Sequence, residues 1–133
     1  NQLKKLPNFL KKRRKIAEKY DKDFSNVENI TFPKTENISA HSYHLYPLQI
    51  DFSVTKIEKP KLFNKMKENG FLLQVHYIPI HFQPYYQKNF GFKKGDFPIS
   101  EEFYKQEVSI PIYPNLMEED QNKFIHLTKD LIK

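Results

Sequence analysis

Leu3, Leu6, Leu10, Ala17, Tyr20 and Phe24 recur at spacings of three, four and seven, which predicts one long amphipathic helix from about residue 2 to about 24. A helix of this kind is held mainly by what its apolar stripe packs against, so the rest of the chain must supply a layer for it. Pro7 falls in the first turns, where it either delays the start or kinks the axis. The material for a core is aromatic, with 12 Phe and 8 Tyr among 133 residues. These large side chains have few rotamers to lose, so a core can form despite 29% charged residues and a mean hydropathy of −0.74. The length suits one domain spanning 1–133, which at this size buries roughly two thirds of its unfolded surface.

The remaining elements are legible from punctuation. Residues 26–33 read as a short strand bounded by polar residues, and 35–39 as a loop. Residues 42–52 read as a stronger strand, with Tyr43 and Leu45 alternating with His44 and Tyr46, and Leu48, Ile50 and Phe52 continuing one side. Pro47 points to an edge position or a bulge there. Pro60 opens a helix whose apolar face is Leu62, Phe63 and Met66, and Gly70 fits its left-handed end. Residues 71–80 read as a mostly apolar strand, followed by a long irregular segment with at most one short helix. A helix opens at Ser100-Glu101-Glu102, and 108–112 is a short extended piece between prolines. The last helix, about 117–132, sets Phe124, Leu127 and Leu131 on one face, with Glu118, Glu119 and Asp120 at its positive end and Lys129 near its negative end. The predicted order is helix, strand, strand, helix, strand, helix, helix. That is an α+β fold, a small mostly antiparallel sheet with helices on one side.

Composition narrows the function classes. The chain has no cysteine, which removes disulfides, thiolate metal sites and thiol nucleophiles and suits a cytoplasmic protein. No apolar run reaches the length of a membrane span, and no signal peptide is legible, so no membrane partner is expected. Asn29-Ile30-Thr31 and Asn37-Ile38-Ser39 match the glycosylation triplet and read as coincidence. The formal net charge is +6, but 16 acidic residues are interspersed with 22 basic ones, and only Lys11 to Lys15 is lopsided. That run reads either as a solvated helix face or as a phosphate-binding face. The second option makes the chain a non-catalytic basic interaction module for nucleic acid or a protein partner. The chain opens at Asn directly in a helical pattern, as a fragment would.

One segment concentrates chemistry. Residues 74–86 hold His76, His81, Tyr77, Tyr85, Tyr86, Gln74 and Gln83 where an extended run gives way to a loop. Imidazole exchanges protons near neutral pH, and a phenol offers both a stacking face and a hydroxyl, a combination suited to a nucleotide and its sugar. The plainer reading makes them core and turn residues bent by Pro79 and Pro84. A metal site from His76 and His81 with His44 or His41 is disfavoured, because a five-residue separation does not put both imidazoles on one face of a strand. With only Gly70, Gly91 and Gly95 there is no glycine-rich phosphate loop, and no nucleophile, base and orienting group can be assembled. By itself the sequence is incomplete as an enzyme.

Four stretches together resemble a known family. They are Arg13-Arg14-Lys15-Ile16-Ala17-Glu18-Lys19-Tyr20, Ser42-Tyr43-His44-Leu45-Tyr46, residues 67–81 with Gly70, His76, Tyr77, Pro79 and His81, and a tail with Phe97-Pro98, Glu101 and Ser109-Ile110-Pro111-Ile112-Tyr113-Pro114. In this order, and nearly end to end, they resemble the C-terminal small domain of DegT/StrS-type, fold type I sugar-nucleotide aminotransferases. The 74–86 stretch is most similar to the branch that acts in pseudaminic acid biosynthesis on a UDP-linked 4-keto-6-deoxy amino sugar. The resemblance implies a pyridoxal 5'-phosphate enzyme that passes an amino group from glutamate to the keto sugar, as a homodimer. It also implies that the cofactor-binding lysine and the large domain lie upstream of Asn1, so no residue here is catalytic. What carries over is substrate binding, by His76, Tyr77 and His81, then Tyr85 and His44, orienting sugar and diphosphate. The sequence departs from the family at Phe71, where Ile is common, and at Met117, where Ser or Thr usually caps the last helix.

Overall fold

The computed structural model describes residues 1–35 and 41–133. The predicted loop at 35–39 and the triplet at Asn37 therefore lie largely or wholly outside the described residues. The elements are α1 (Gln2–Phe24), β1 (Ile30–Thr31), β2 (Pro47–Ile50), α2 (Lys59–Glu68), a 3-10 turn (Ile80–Phe82), α3 (Pro84–Phe90), α4 (Pro98–Gln106), β3 (Glu107–Ser109) and α5 (Glu118–Ile132). The sheet is antiparallel in the order β1-β2-β3, pairing Ile30 with Ile50 and Leu48 with Val108. The α+β reading holds.

Tyr46, Leu48 and Ile50 bury one side of β2, and Val108 continues that face onto β3. Against it lie α1, through Ile16, Ala17, Tyr20 and Phe24, and α5, through Phe124, Ile125 and Ile132. The Tyr20 ring sits 5.2 Å from Tyr46 and 6.1 Å from Phe124, centre to centre, and Phe71 meets Phe124 edge-on at 5.3 Å. Burying each such ring contributes roughly 1.5–3 kcal/mol before the cost of ordering it. Three bonds tie the layer together: Tyr20 Oη donates to the Pro111 carbonyl, Gln121 Nε2 to the Ile16 carbonyl and Asn29 Nδ2 to the Ile132 carbonyl.

Several expectations are corrected. The alternation at 42–52 has the other phase, because Tyr43 takes φ +46 and the chain turns there, so that Tyr43 and Tyr46 are both buried while His44 is exposed. Pro47 begins the central strand rather than an edge strand. Tyr46 O accepts from Ile110 N–H, so the nitrogen of Pro47 faces the opposite side, where β1 reaches only Gln49 and Ile50. The position is an edge locally, which is what proline tolerates. The predicted strand at 71–80 does not form: among the described residues only Gln74 pairs with the free edge of β3, at Ser109, and by His76 the chain has folded over the second face of the sheet. The third strand comes from 107–109. On α5 the buried face is Gln121, Phe124, Ile125, Thr128 and Ile132, with Leu127 and Leu131 at its margin. Pro7 stays inside α1, which begins at Gln2; Leu3 and Leu6 at that end are exposed.

Candidate functional site

Gln49, Glu107 and Ser109 point to the face of the sheet opposite Leu48 and Val108, where strand alternation puts them. A polar sheet face ordinarily meets water, yet Glu107 is fully buried and Ser109 nearly so. The segment from Gln74 to His76 covers them. His76 N–H donates to Glu107 Oε2 at 3.0 Å, Ser109 Oγ–H donates to Glu107 Oε1 at 2.6 Å, and His76 Nδ1 lies 2.7 Å from Ser109 Oγ. The charge on Glu107 also raises the affinity of Lys59 for its proton, although burial outweighs it and leaves the Lys59 ammonium below its ordinary range. Lys59 Nζ donates to the Tyr104 carbonyl and lies 5.2 Å from the centre of the Tyr104 ring. The buried charge of Glu107 is thus matched by donors and a nearby cation.

Beyond His76 the chain turns, with a cis peptide between His76 and Tyr77, and enters the 3-10 turn. His81 is buried between Phe82 and Phe97, with ring centres 4.3 and 4.8 Å away, and its Nε2 is 3.0 Å from Glu101 Oε1. Glu101 Oε1 also accepts from the Gly95 and Phe97 amides. Desolvation acts to raise the Glu101 carboxyl, but the Gly95 amide and His81 outweigh it and hold the group below the usual carboxylate range. His81 and Glu101 together pin residues 95–101 against the 3-10 turn.

These two polar anchors frame a cleft of about 510 Å³ whose walls include His76, Tyr77, His81, Tyr86, Phe97 and Tyr104. The cleft unites three of the predicted residues. Tyr77 is 77% exposed at its rim, His76 is half-buried in its wall and His81 forms its buried floor. Tyr85 stands outside it on the exposed side of α3, its neighbour Tyr86 taking the lining position, and His44 lies on the loop before β2, not on the cleft wall. A larger hollow of about 790 Å³ between β1 and the end of α5 is lined by Asn29, Asp51, Gln106 and Lys129 among others, and none of the five predicted residues reaches it. Among the described residues no group of three or more His, Asp or Glu is placed to hold a metal ion, and no helix is long and apolar enough to cross a membrane.

Sequence reading missed Glu107, Ser109 and Glu101 as members of the site. Glu107-Val108-Ser109 reads as an ordinary polar-apolar alternation more than thirty residues from His76, and the available signal was that Glu101 and Ser109 fall within the stretches that carry the family resemblance. The basic run lies on α1, where Lys11, Lys12 and Lys15 are exposed and Arg14 Nε donates to the His41 carbonyl.

The sequence and the fold have counterparts in known proteins. The chain is 34% identical over its whole length to the spore coat polysaccharide biosynthesis protein SpsC of Bacillus subtilis, covering 34% of it. It is 36% identical over 94% of its length to the UDP-4-amino-4,6-dideoxy-N-acetyl-beta-L-altrosamine transaminase of Campylobacter jejuni, covering 32% of that protein. Its fold superposes on Helicobacter pylori PseC, an aminotransferase involved in the biosynthesis of pseudoaminic acid, with a TM-score of 0.86 at 30% identity, over 98% of this chain and 34% of that one. The chain therefore spans about a third of the length of the relatives it matches. The pattern of one family runs through residues 1–128, taking in both faces of the sheet and the whole cleft, and on that ground the chain belongs to the DegT/DnrJ/EryC1/StrS aminotransferase family.

Proposed function

We propose that this chain is the small C-terminal domain of a pyridoxal phosphate-dependent aminotransferase that moves an amino group from glutamate to a UDP-linked 4-keto-6-deoxy sugar, and that its cleft binds the sugar nucleotide. The observation that carries the reading is the convergence of His76, Tyr77 and His81 on one cleft that also presents aromatic rings, in a chain of an aminotransferase family. Aromatic faces stack on a base or sugar ring, and the imidazole and phenol at the wall supply oriented hydrogen bonds. The similarity to the altrosamine transaminase favours the UDP-linked sugar.

The residues of this chain do not by themselves fit the cofactor. An aldehyde cofactor with a phosphate needs a lysine amine and an anion cradle, and the cleft wall carries no lysine or arginine. No step through the cofactor is assigned to this chain; the lysine belongs to the larger part of the parent protein. What these residues contribute is binding, with His81 as a buried support and His76 and Tyr77 as the groups that meet ligand.

On the cleft wall Ile78, Ile80 and Phe103 are exposed, and beside it so are Tyr85, Phe90 and Ile99. So much exposed apolar side chain on neighbouring segments fits a surface that the rest of the parent, or the second subunit of a homodimer, covers. The reading as a basic module for nucleic acid rests only on the charge of the Lys11 to Lys15 run.

The test is an absorbance spectrum of the full-length parent with pyridoxal phosphate. The bound cofactor's near-visible band should bleach when glutamate is added and return with a UDP-4-keto sugar. A parent that shows no band, or one indifferent to glutamate, is not an aminotransferase.

A further inference from the structure

The contacts of buried Glu107 and Ser109 with half-buried His76 bear on which side of the imidazole carries a proton. A serine hydroxyl has one hydrogen to give and two lone pairs. Ser109 gives its hydrogen to Glu107 Oε1, 2.6 Å away, because a carboxylate has none to offer in return. At the 2.7 Å contact with His76, Ser109 Oγ is then the acceptor, and the hydrogen must come from His76 Nδ1. The second Glu107 oxygen holds the His76 backbone N–H at 3.0 Å, so ring and main chain are oriented by the same carboxylate. A neutral imidazole protonated at Nδ1 presents Nε2 as a lone pair. Among the described residues Nε2 has no hydrogen-bond partner, and it lies on the side of the ring turned away from the sheet, in a residue that lines the cleft.

We propose that Glu107 and Ser109 are positioning residues that lock His76 as the Nδ1–H tautomer, making its Nε2 an obligate acceptor in the cleft. The ligand group that meets His76 is then a donor, a sugar hydroxyl or an amide N–H, and not a phosphate oxygen. This narrows the role that the sequence reading gave to His76, which covered sugar and diphosphate alike. The ligand half of the inference rests on the proposed function; the tautomer half does not.

The tautomer is read directly by the nitrogen and carbon chemical shifts of the imidazole in this chain. The spectrum is taken about two pH units above the ordinary imidazole value of about 6.5. The expected result is a hydrogen on Nδ1 of His76, and in Ser109→Ala a loss of that preference with the His81 signals unmoved. A hydrogen on Nε2 in the unmodified chain overturns the inference, whether or not any variant folds. In the full-length parent, Ser109→Ala should weaken a UDP-linked keto sugar by about tenfold and leave the affinity for UDP alone unchanged. Equal weakening of both ligands overturns the assignment of a donor on the sugar. Failure of the absorbance test with the tautomer confirmed removes the aminotransferase reading and leaves the positioning role of Glu107 and Ser109 standing.

Discussion

Glu101 takes three hydrogen bonds on one carboxylate oxygen, from the Gly95 amide, the Phe97 amide and His81. Because its folded-state value is held below the ordinary carboxyl value of 4.5, its contribution to stability is complete above that pH and is lost as the pH falls through the folded value. Asp21 runs the other way. Burial raises its carboxyl against the opposing bond from Tyr46, so its ionisation costs stability that is recovered on acidification. Glu101→Gln should therefore lower the urea midpoint at about pH 7 while making the loss between about pH 5 and about pH 3 shallower than in the unmodified chain. Identical slopes in the two proteins would show that Glu101 has no such linkage. Tyr43 makes the opposite point about buried polar groups. Its hydroxyl is shut away from water without a partner among the described residues, while Tyr46, three residues on, donates to Asp21. Residue type alone does not say which of two buried phenols is satisfied.

At the scale of elements, α2 shows local sequence and local structure in agreement. Pro60 occupies the first turn, where its missing N–H costs nothing, and Leu62 and Met66 enter the core. The helix ends in a paired turn in which Gly70 N–H donates to Lys67 O and Phe71 N–H to Met66 O. That turn needs φ +88 at Gly70, and nothing lies within 4 Å of the place a Cβ would occupy. Gly70→Ala should then cost about 1–2 kcal/mol through backbone conformation alone, measured by urea unfolding. A smaller cost would mean that the turn relaxes, and a larger one that Phe71 loses its seat against Phe124. The start of α5 is less well served. Met117 makes no side-chain cap, as its departure from the family pattern implied, and Glu118, Glu119 and Asp120 complement the exposed amides by charge.

On the whole molecule, the apolar groups divide into two populations. Those of the second half of α1, of α5 and of one sheet face are packed, and many of those between Tyr77 and Phe103 stand at or beside the cleft with their surfaces in solvent. Ile80 is 64% and Ile99 86% exposed, so neither has an evident packing role among the described residues. The chain alone should self-associate with rising concentration in sedimentation, and Ile80→Lys combined with Ile99→Lys should return it to monomer without lowering its unfolding midpoint. A unmodified chain that stays monomeric throughout would show that this surface needs no cover. Under the proposed function, that cover comes from the larger part of the parent or from a second subunit.

What the sequence by itself determined is whatever depends on neighbours a few residues apart. Helix α1 follows from three-and-four spacing, the end of α2 from a proline and a glycine, and the family from four motifs in order. The histidine-rich segment was also legible, since residue type alone concentrates titrating and stacking groups there. Only the tertiary structure decided that 71–80 touches the sheet edge at Gln74 alone before folding over its face, and that β3 comes from 107–109. An apolar run carries no record of whether its backbone bonds will be met by a strand or by a fold-back. It also decided that His76 leans on Glu107 and Ser109, more than thirty residues away. Separating His81 and His76 from Tyr85 and His44 required knowing which loops share a wall, and that is a property of the packed chain, not of spacing along it.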